Sequence, residues 1–240
     1  MPDLAWLTAH PIAHRGLHDL NRTRWENTRA AFEAAIGHGF AIECDVHLTA
    51  DRVPVVFHDS DLSRLTGRQG KVWQHTAAEL AEFAIGGTEE RIPRLADVLE
   101  LVAGQVPIII ELKGIPGQNH GLVEELVRCL DGYPGPAAMM SFDHYLVRDM
   151  ALHAGNIPYG LTAEGLETTA IEAHFAMLAH GISFVSYAVK HLPNPFVSFV
   201  RDKLSMPVIT WTVRDDAAAR ATFEHADQMT FEGFIPGVEP

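Results

Sequence analysis

The 240-residue sequence has only two cysteines, Cys44 and Cys129, too few for a disulfide framework and outside the CxxC spacing of a zinc or redox site. Basic charge is scarce as well: 18 Lys and Arg stand against 31 Asp and Glu, a formal net charge of -13. Proteins that hold nucleic acid through its phosphates need the opposite sign, so no nucleic-acid partner is expected. An anionic ligand would have to meet local positive charge, from a metal ion or from a few placed Arg and Lys side chains. Long apolar runs are missing, and none approaches the ~18 residues of a membrane span. The opening stretch MPDLAWLTAHPIAHRG has an acid at Asp3 and neither a basic n-region nor a long h-region, so it does not read as a secretory leader. Together with unpaired cysteines, this points to a soluble, cytoplasmic protein. Linkers are absent too, since the densest turn-forming cluster, DGYPGPA at 131–137, suffices for one connection. Residues 1–240 are therefore read as one domain.

What is present is a 47% hydrophobic chain in which short apolar segments alternate with amphipathic ones, the pattern of parallel βα units. Strands are predicted near 11–14, 40–46, 107–112, 137–141, 157–162, 183–187, 207–212 and 228–232. Between them, Leu95, Val98, Leu99 and Val102, and Leu122, Val123, Leu126, Val127 and Leu130, have the spacing of helical faces. Eight such strands in a chain of this length predict a single (β/α)8 TIM-type barrel. Residues 53–57 form a further short strand, hairpinned to the second, and open an insertion over about 50–92. Too little sequence follows the eighth strand for a full outer helix, so that helix is expected to be missing or truncated. The apolar segment Leu4 to Leu7, or a second subunit in a homodimer, is expected to cover the seam.

Side chains at the C-terminal ends of barrel strands converge on one mouth. The first predicted strand ends in His14 and Arg15, the second carries Glu43 and Asp45, and the third Glu111 and Lys113. The i, i+2 spacing in the last two pairs turns both members to one side of the strand. A polar plug of mutually neutralising groups is one reading, but charge at the ends of three consecutive strands favours a site. Glu43, Asp45 and Glu111 form an all-oxygen cluster suited to one divalent cation, Mg²⁺ or Ca²⁺. His14 and His58 follow apolar strands and can exchange protons near neutral pH. Arg15 and Lys113 supply charge for phosphate oxygens. Asn27 has the character of an N-cap for the helix that follows, and Glu26 could orient a group of the site. Phe142 and Trp211 are candidates for an apolar wall, with simple core packing as the alternative.

IAHRG at 12–16, ENT at 26–28, ECDVHLTADRVPVVFHD at 43–59, IPRLADVLELV at 92–102 and IIIELK at 108–113 resemble the glycerophosphodiester phosphodiesterase family. The resemblance continues more weakly through SF at 141–142 and WTV at 211–213. It implies a (β/α) barrel that hydrolyses glycerophosphodiesters to glycerol 3-phosphate and an alcohol, directly with water or through a cyclic phosphate. His14 and His58 match the family's catalytic histidines, Glu43, Asp45 and Glu111 its metal ligands, and Arg15 and Lys113 its phosphate-binding positions. The sequence departs from the family pattern at Trp25, where Pro is usual, at Arg214, where Asn is usual, and in MTFEGF at 229–234, where a Thr-Asp-Pro ending is usual. These departures bear on the alcohol and the rim of the site, where Glu232 takes the place of another polar group. Two alternatives stay open: a lysophospholipid or other phosphodiester as substrate on the same barrel, and a barrel that binds phosphodiesters without turning them over. A binding module, however, has no use for two titratable histidines.

Overall fold

The computed structural model of the chain describes residues 3–237. Its nine strands are β1 (Ile12–Ala13), β2 (Ala41–Leu48), β3 (Pro54–Val56), β4 (Ile108–Leu112), β5 (Ala137–Ser141), β6 (Tyr159–Ala163), β7 (Phe184–Ala188), β8 (Val208–Val213) and β9 (Gln228–Phe231). All except β3 are parallel, and β1 pairs with both β2 and β9, closing eight strands into a barrel. Strands covered on both faces read as continuous apolar runs, which is why IIIEL and AIECDVHL stand out in the sequence. Strand β3 is antiparallel to the far end of β2, with Val46 opposite Val56. It takes the edge that the two-residue β1 leaves free. The Glu43 and Asp45 carbonyls share that edge and accept from Gly16 and Phe57, while the Val46 carbonyl, on the other edge, accepts from Lys113.

Short helices α1 (Ala5–Ala9), α3 (Ser63–Thr66) and α4 (Ala77–Leu80) lie apart from the outer layer. That layer comprises α2 (Arg29–His38), α5 (Leu95–Val102), α6 (Leu122–Leu130), α7 (His144–His153), α8 (Thr168–Met177), α9 (Pro195–Asp202) and α10 (Asp216–His225). Leu95, Val98, Leu99 and Val102 of α5 are buried, as are Leu122, Val123, Leu126 and Leu130 of α6, matching the predicted faces. The cap of α2 is Thr28, whose hydroxyl accepts from the Ala31 amide. Asn27, expected in that role, is displaced by one residue and put to another use.

No helix follows β9 among the described residues. The seam is covered from within the chain: Phe231 points outward from β9, packs edge-on against Phe40 at 5.0 Å and against Phe234 at 5.9 Å, and joins the outer core with α2 and α10. Leu4 to Leu7, expected over this seam, lie elsewhere. Leu4 and Leu7 pack with the inward side chains Ile12, Ala41, Ile109, Ala138 and Ile209, so α1 plugs the N-terminal end of the barrel. An inward apolar ring offers a helix burial from all sides, whereas the seam offers one face. Residues 60–92 build a satellite core around Phe57, Leu62, Leu65, Leu80 and Ile85. Trp25 leans on it, with its ring lying where a Cβ on Gly86 would stand, at 1.9 Å. The Trp25 departure thus anchors this excursion to the loop after β1.

Leu7→Ala is expected to destabilise the fold by about 2–5 kcal/mol and Phe231→Ala by about 3–5 kcal/mol, measured by denaturant unfolding. A loss under about 1 kcal/mol at either position would contradict the packing described for it.

Candidate active site

Glu43 and Asp45 face the barrel interior from β2 and are each 1% exposed; Glu111, from the neighbouring β4, is 6% exposed. One carboxylate oxygen from each lies within 4.8 Å of the others. Lys113 Nζ bridges two of them, reaching Asp45 Oδ1 at 2.7 Å and pairing with Glu111. Arg15 approaches from the end of β1, with its Nε 3.4 Å from Asp45 Oδ2 and its NH1 2.8 Å from Glu26 Oε1. Its backbone amide donates to Glu43 Oε2 at 2.9 Å, leaving Glu43 Oε1 buried without a partner.

Burial pushes the Glu43 carboxyl well above its ordinary range, and the charges of Asp45 and Glu111 push it further. Burial also raises Glu111, an effect that Lys113 only partly opposes. At Asp45 burial acts in the same direction, but Lys113, His58 and Arg15 outweigh it and hold the carboxyl below the usual range. The sum is a buried oxygen cluster in which carboxylates outnumber the cations paired with them, which fits a hard divalent cation.

The loop after β1 delivers Arg15 through strained backbone. Arg15 and Asn27 have φ of 54° and 55°, a left-handed conformation that non-glycine residues rarely adopt, and the Asn27 amide donates to the Arg15 carbonyl. Gly16, between them in the turn, has φ of 76°, and a Cβ there would stand 2.9 Å from Ala31. Asn27 then turns its side chain inward, donating to Asp45 Oδ2 at 2.8 Å. Glu26 is tied to Arg15, to Arg64 of the excursion and to Asn21. Arg64 was not apparent in the sequence, because its position in α3 gives no periodic or motif signal.

His14 and His58 flank the carboxylates. His14 Nδ1 lies 2.5 Å from Glu232 Oε2, and His58 Nδ1 lies 2.7 Å from Asp59 Oδ1. Carboxylates accept, so both rings donate from Nδ1 and keep Nε2 for other work. Burial lowers the pKa of both imidazoles, while Glu232, and for His58 Asp45 and Asp59, pull the other way. His47 donates from Nε2 to the His58 carbonyl at 3.0 Å and is pushed down to about 4, chiefly by burial. It stays neutral at physiological pH and braces the backbone of His58.

His14, Arg15, Glu43, His58, Glu111 and Lys113 line one cleft of about 160 Å³, with Phe142 and Trp211 across from them. Those two rings meet edge to face at 5.1 Å; Phe142 is 41% exposed and the Trp211 Nε1 donor is buried and unpartnered. A wider groove of about 510 Å³ shares His58, Lys113 and Phe142 and continues past Leu112 and Ile115. The sequence-predicted site residues thus gather at one end of the barrel. Such a cleft combines a place for a cation, fixed positive charge for phosphate oxygens and two proton-exchanging groups.

Residues 14–235 match the model of the Glycerophosphoryl diester phosphodiesterase family. The glycerophosphodiester phosphodiesterase of Caldanaerobacter subterraneus subsp. tengcongensis is 35% identical over 160 residues, covering 62% of this chain and 65% of that protein. A lysophospholipase D of Rattus norvegicus is 36% identical over 141 residues, covering 53% of this chain and 42% of that protein. The chain therefore spans less than two thirds of either relative's length. An Oleispira antarctica phosphodiesterase, solved in complex with the product sn-glycerol-3-phosphate, shares the fold with a TM-score of 0.79 at 23% identity, covering 92% of both chains.

Glu43→Gln retains an acceptor for the Arg15 amide and removes the carboxyl whose ionisation burial and the neighbouring carboxylates oppose. The metal-free variant is expected to melt higher than the wild type, by about 2–4 °C per kcal/mol of relief. Mg²⁺ or Ca²⁺, which should raise the wild-type Tm, should leave that of the variant unmoved. Calorimetric scans with and without each cation check both outcomes, and an unchanged cation response contradicts a metal role for Glu43.

Proposed function

Because the chain belongs to the glycerophosphoryl diester phosphodiesterase family, we propose that it hydrolyses glycerophosphodiesters, deacylated phospholipid head groups among them, to glycerol 3-phosphate and an alcohol. The observation that carries this reading is the convergence of His14, His58, Glu43, Glu111, Arg15 and Lys113 on one cleft, with Asp45 paired to Lys113 beneath it.

Glu43, Asp45 and Glu111 would hold one divalent cation, Mg²⁺ or Ca²⁺. When bound, the cation adds positive charge against the phosphate oxygens and polarises phosphorus toward attack. Arg15 and Lys113 bind the remaining phosphate charge, Arg15 held in place by Glu26 and Lys113 by Asp45. One histidine, neutral with its proton on Nδ1, accepts the proton of the attacking hydroxyl at Nε2, and the other, entering as the imidazolium, donates its Nε2 proton to the departing alkoxide. Asn27 fixes Asp45, and Phe142 with Trp211 walls off the organic part of the substrate from water. The two cysteines, both free, fit a reducing compartment such as the cytoplasm. No described helix is long and apolar enough to cross a membrane.

A second reading, a lysophospholipid as substrate, is favoured by the wide groove running from His58 past Ile115 and exposed Phe142, which offers apolar surface to an acyl chain.

Product release from glycerophosphocholine, glycerophosphoethanolamine, glycerophosphoinositol and lysophosphatidylcholine, each with Mg²⁺, Ca²⁺ or chelator, tests class, substrate and cofactor together. Cation-dependent turnover of the glycerophosphodiesters is expected; turnover of the lysolipid alone selects the second reading, and no turnover rejects both. His14→Ala and His58→Ala are each expected to lower kcat by about 10² or more. Near-normal kcat in either variant removes that histidine from the chemistry.

A further inference from the structure

His14 and His58 are held by parallel devices. On each, Nδ1 meets a carboxylate, and each carboxylate is gripped by an arginine. Behind His58, Arg64 binds Asp59 with bonds of 2.6 and 3.0 Å. Behind His14, Arg214 turns both Nε and NH2 to one oxygen of Glu232, Oε1, at 2.8 and 2.7 Å, which reserves Oε2 for the histidine. Arg214 and the MTFEGF segment that carries Glu232 are two of the three places where the sequence departs from the usual family pattern, and here Arg214 and Glu232 touch each other.

The barrel register accounts for the contact. Phe231 pairs with Ala13 on one side and with Val213 on the other. The His14 amide donates to the Phe231 carbonyl at 2.9 Å, and the Glu232 amide to the Val213 carbonyl at 3.0 Å. The next residue of each strand, His14, Glu232 and Arg214, therefore stands side by side on the rim. We propose that Arg214 and Glu232 form a positioning pair that fixes His14 with its proton on Nδ1 and its Nε2 free for the phosphodiester.

His18 lies beside the arrangement, with its Nε2 buried and without a hydrogen-bond partner. Its Nδ1 accepts from the Leu20 amide at 3.1 Å, so its proton sits on Nε2, 3.7 Å from the same Glu232 oxygen. His14, His18 and Glu232 together have the makeup of a metal site. A separation of 2.5 Å between Nδ1 and Oε2 is a hydrogen bond, however, and leaves no room for a cation between those atoms. Arg214 already supplies the positive charge that a buried carboxylate requires. Glu232, held below the ordinary carboxylate range against the effect of burial, stays ionised and can only accept. An amide in its place could donate or accept, and would no longer select one tautomer of His14.

The inference rests on the proposed phosphodiesterase activity for its kinetic arm and is independent of it for its spectroscopic arm. Glu232→Gln is expected to lower kcat by about 10- to 100-fold while KM stays within about twofold. Glu232→Asp, which keeps the charge, should recover part of that loss. Arg214→Gln should lower kcat by a smaller factor and add little in the Glu232→Gln background, because both act through one bond. Long-range proton–nitrogen NMR at about pH 8, where free imidazole is neutral, should place the His14 proton on Nδ1 in the wild type and on a mixture of both nitrogens in Glu232→Gln, with His14→Gln assigning the signal. If Glu232→Gln does not fold, the exposed Arg214→Gln substitution carries the kinetic readout, and in it, with the carboxylate still in place, the His14 proton should remain on Nδ1. Wild-type kcat in Glu232→Gln and Arg214→Gln, a change in KM alone, or an unmoved His14 tautomer in Glu232→Gln overturns the pair. A wild type that hydrolyses no glycerophosphodiester defeats the functional reading instead, and the spectra still decide the tautomer.

Discussion

Three carboxylates lie within 4.8 Å of one another inside a closed barrel, where an unmatched ion costs several kcal/mol. Much of the surrounding structure can be understood as the answer to that charge. Lys113, just past the end of β4, turns to the same face as Glu111, and its one ammonium spans two of the three. Arg15 is bent through a left-handed turn to bring both its guanidinium and its amide to the cluster. Asn27 takes up the same left-handed backbone, which asparagine tolerates better than arginine, and donates to Asp45. Local strain and buried charge are tolerated together because each makes the other possible.

Outside that centre, a second ring of ion pairs sets the orientation of the groups that face the cleft. Arg64, contributed by the excursion between β3 and α5, touches both Glu26 and Asp59 and so links Arg15 to His58. The excursion has its own small core, fastened to the loop after β1 by Trp25. A segment that reads in sequence as an insertion is thus mechanically part of the site.

The barrel and its charged mouth were legible because both leave periodic marks. Apolar strands buried on two faces, i, i+2 carboxylates and amphipathic helices follow from local geometry, and the eight predicted strands fall close to those found. What was hidden is of two kinds. Leu4 to Leu7 announce burial but not its location, since an apolar segment fits a seam or an open barrel end equally in composition. Arg64, His47 and the partnership of Arg214 with Glu232 depend on strand register and loop path, which place residues far apart in the chain within hydrogen-bond reach. Asn27 lay at a true helix start, but the adjacent Thr28 supplies the cap and frees the amide for Asp45.

Closure of the barrel has a consequence for the order in which the molecule can be completed. Strand β1 contributes only two residues and is held between β2 and β9, the earliest and latest strands that it can pair with. A chain emerging from the ribosome carries His14, the carboxylates and Lys113 long before the last strand exists. Until Gln228–Phe231 docks, the rim is open beside His14, and β1 lacks one of its two neighbours. Chains cut short before β9 would carry His14, the carboxylates and Lys113 and still lack Glu232 and the strand that closes the barrel, so the N-terminal motifs alone do not make a complete site.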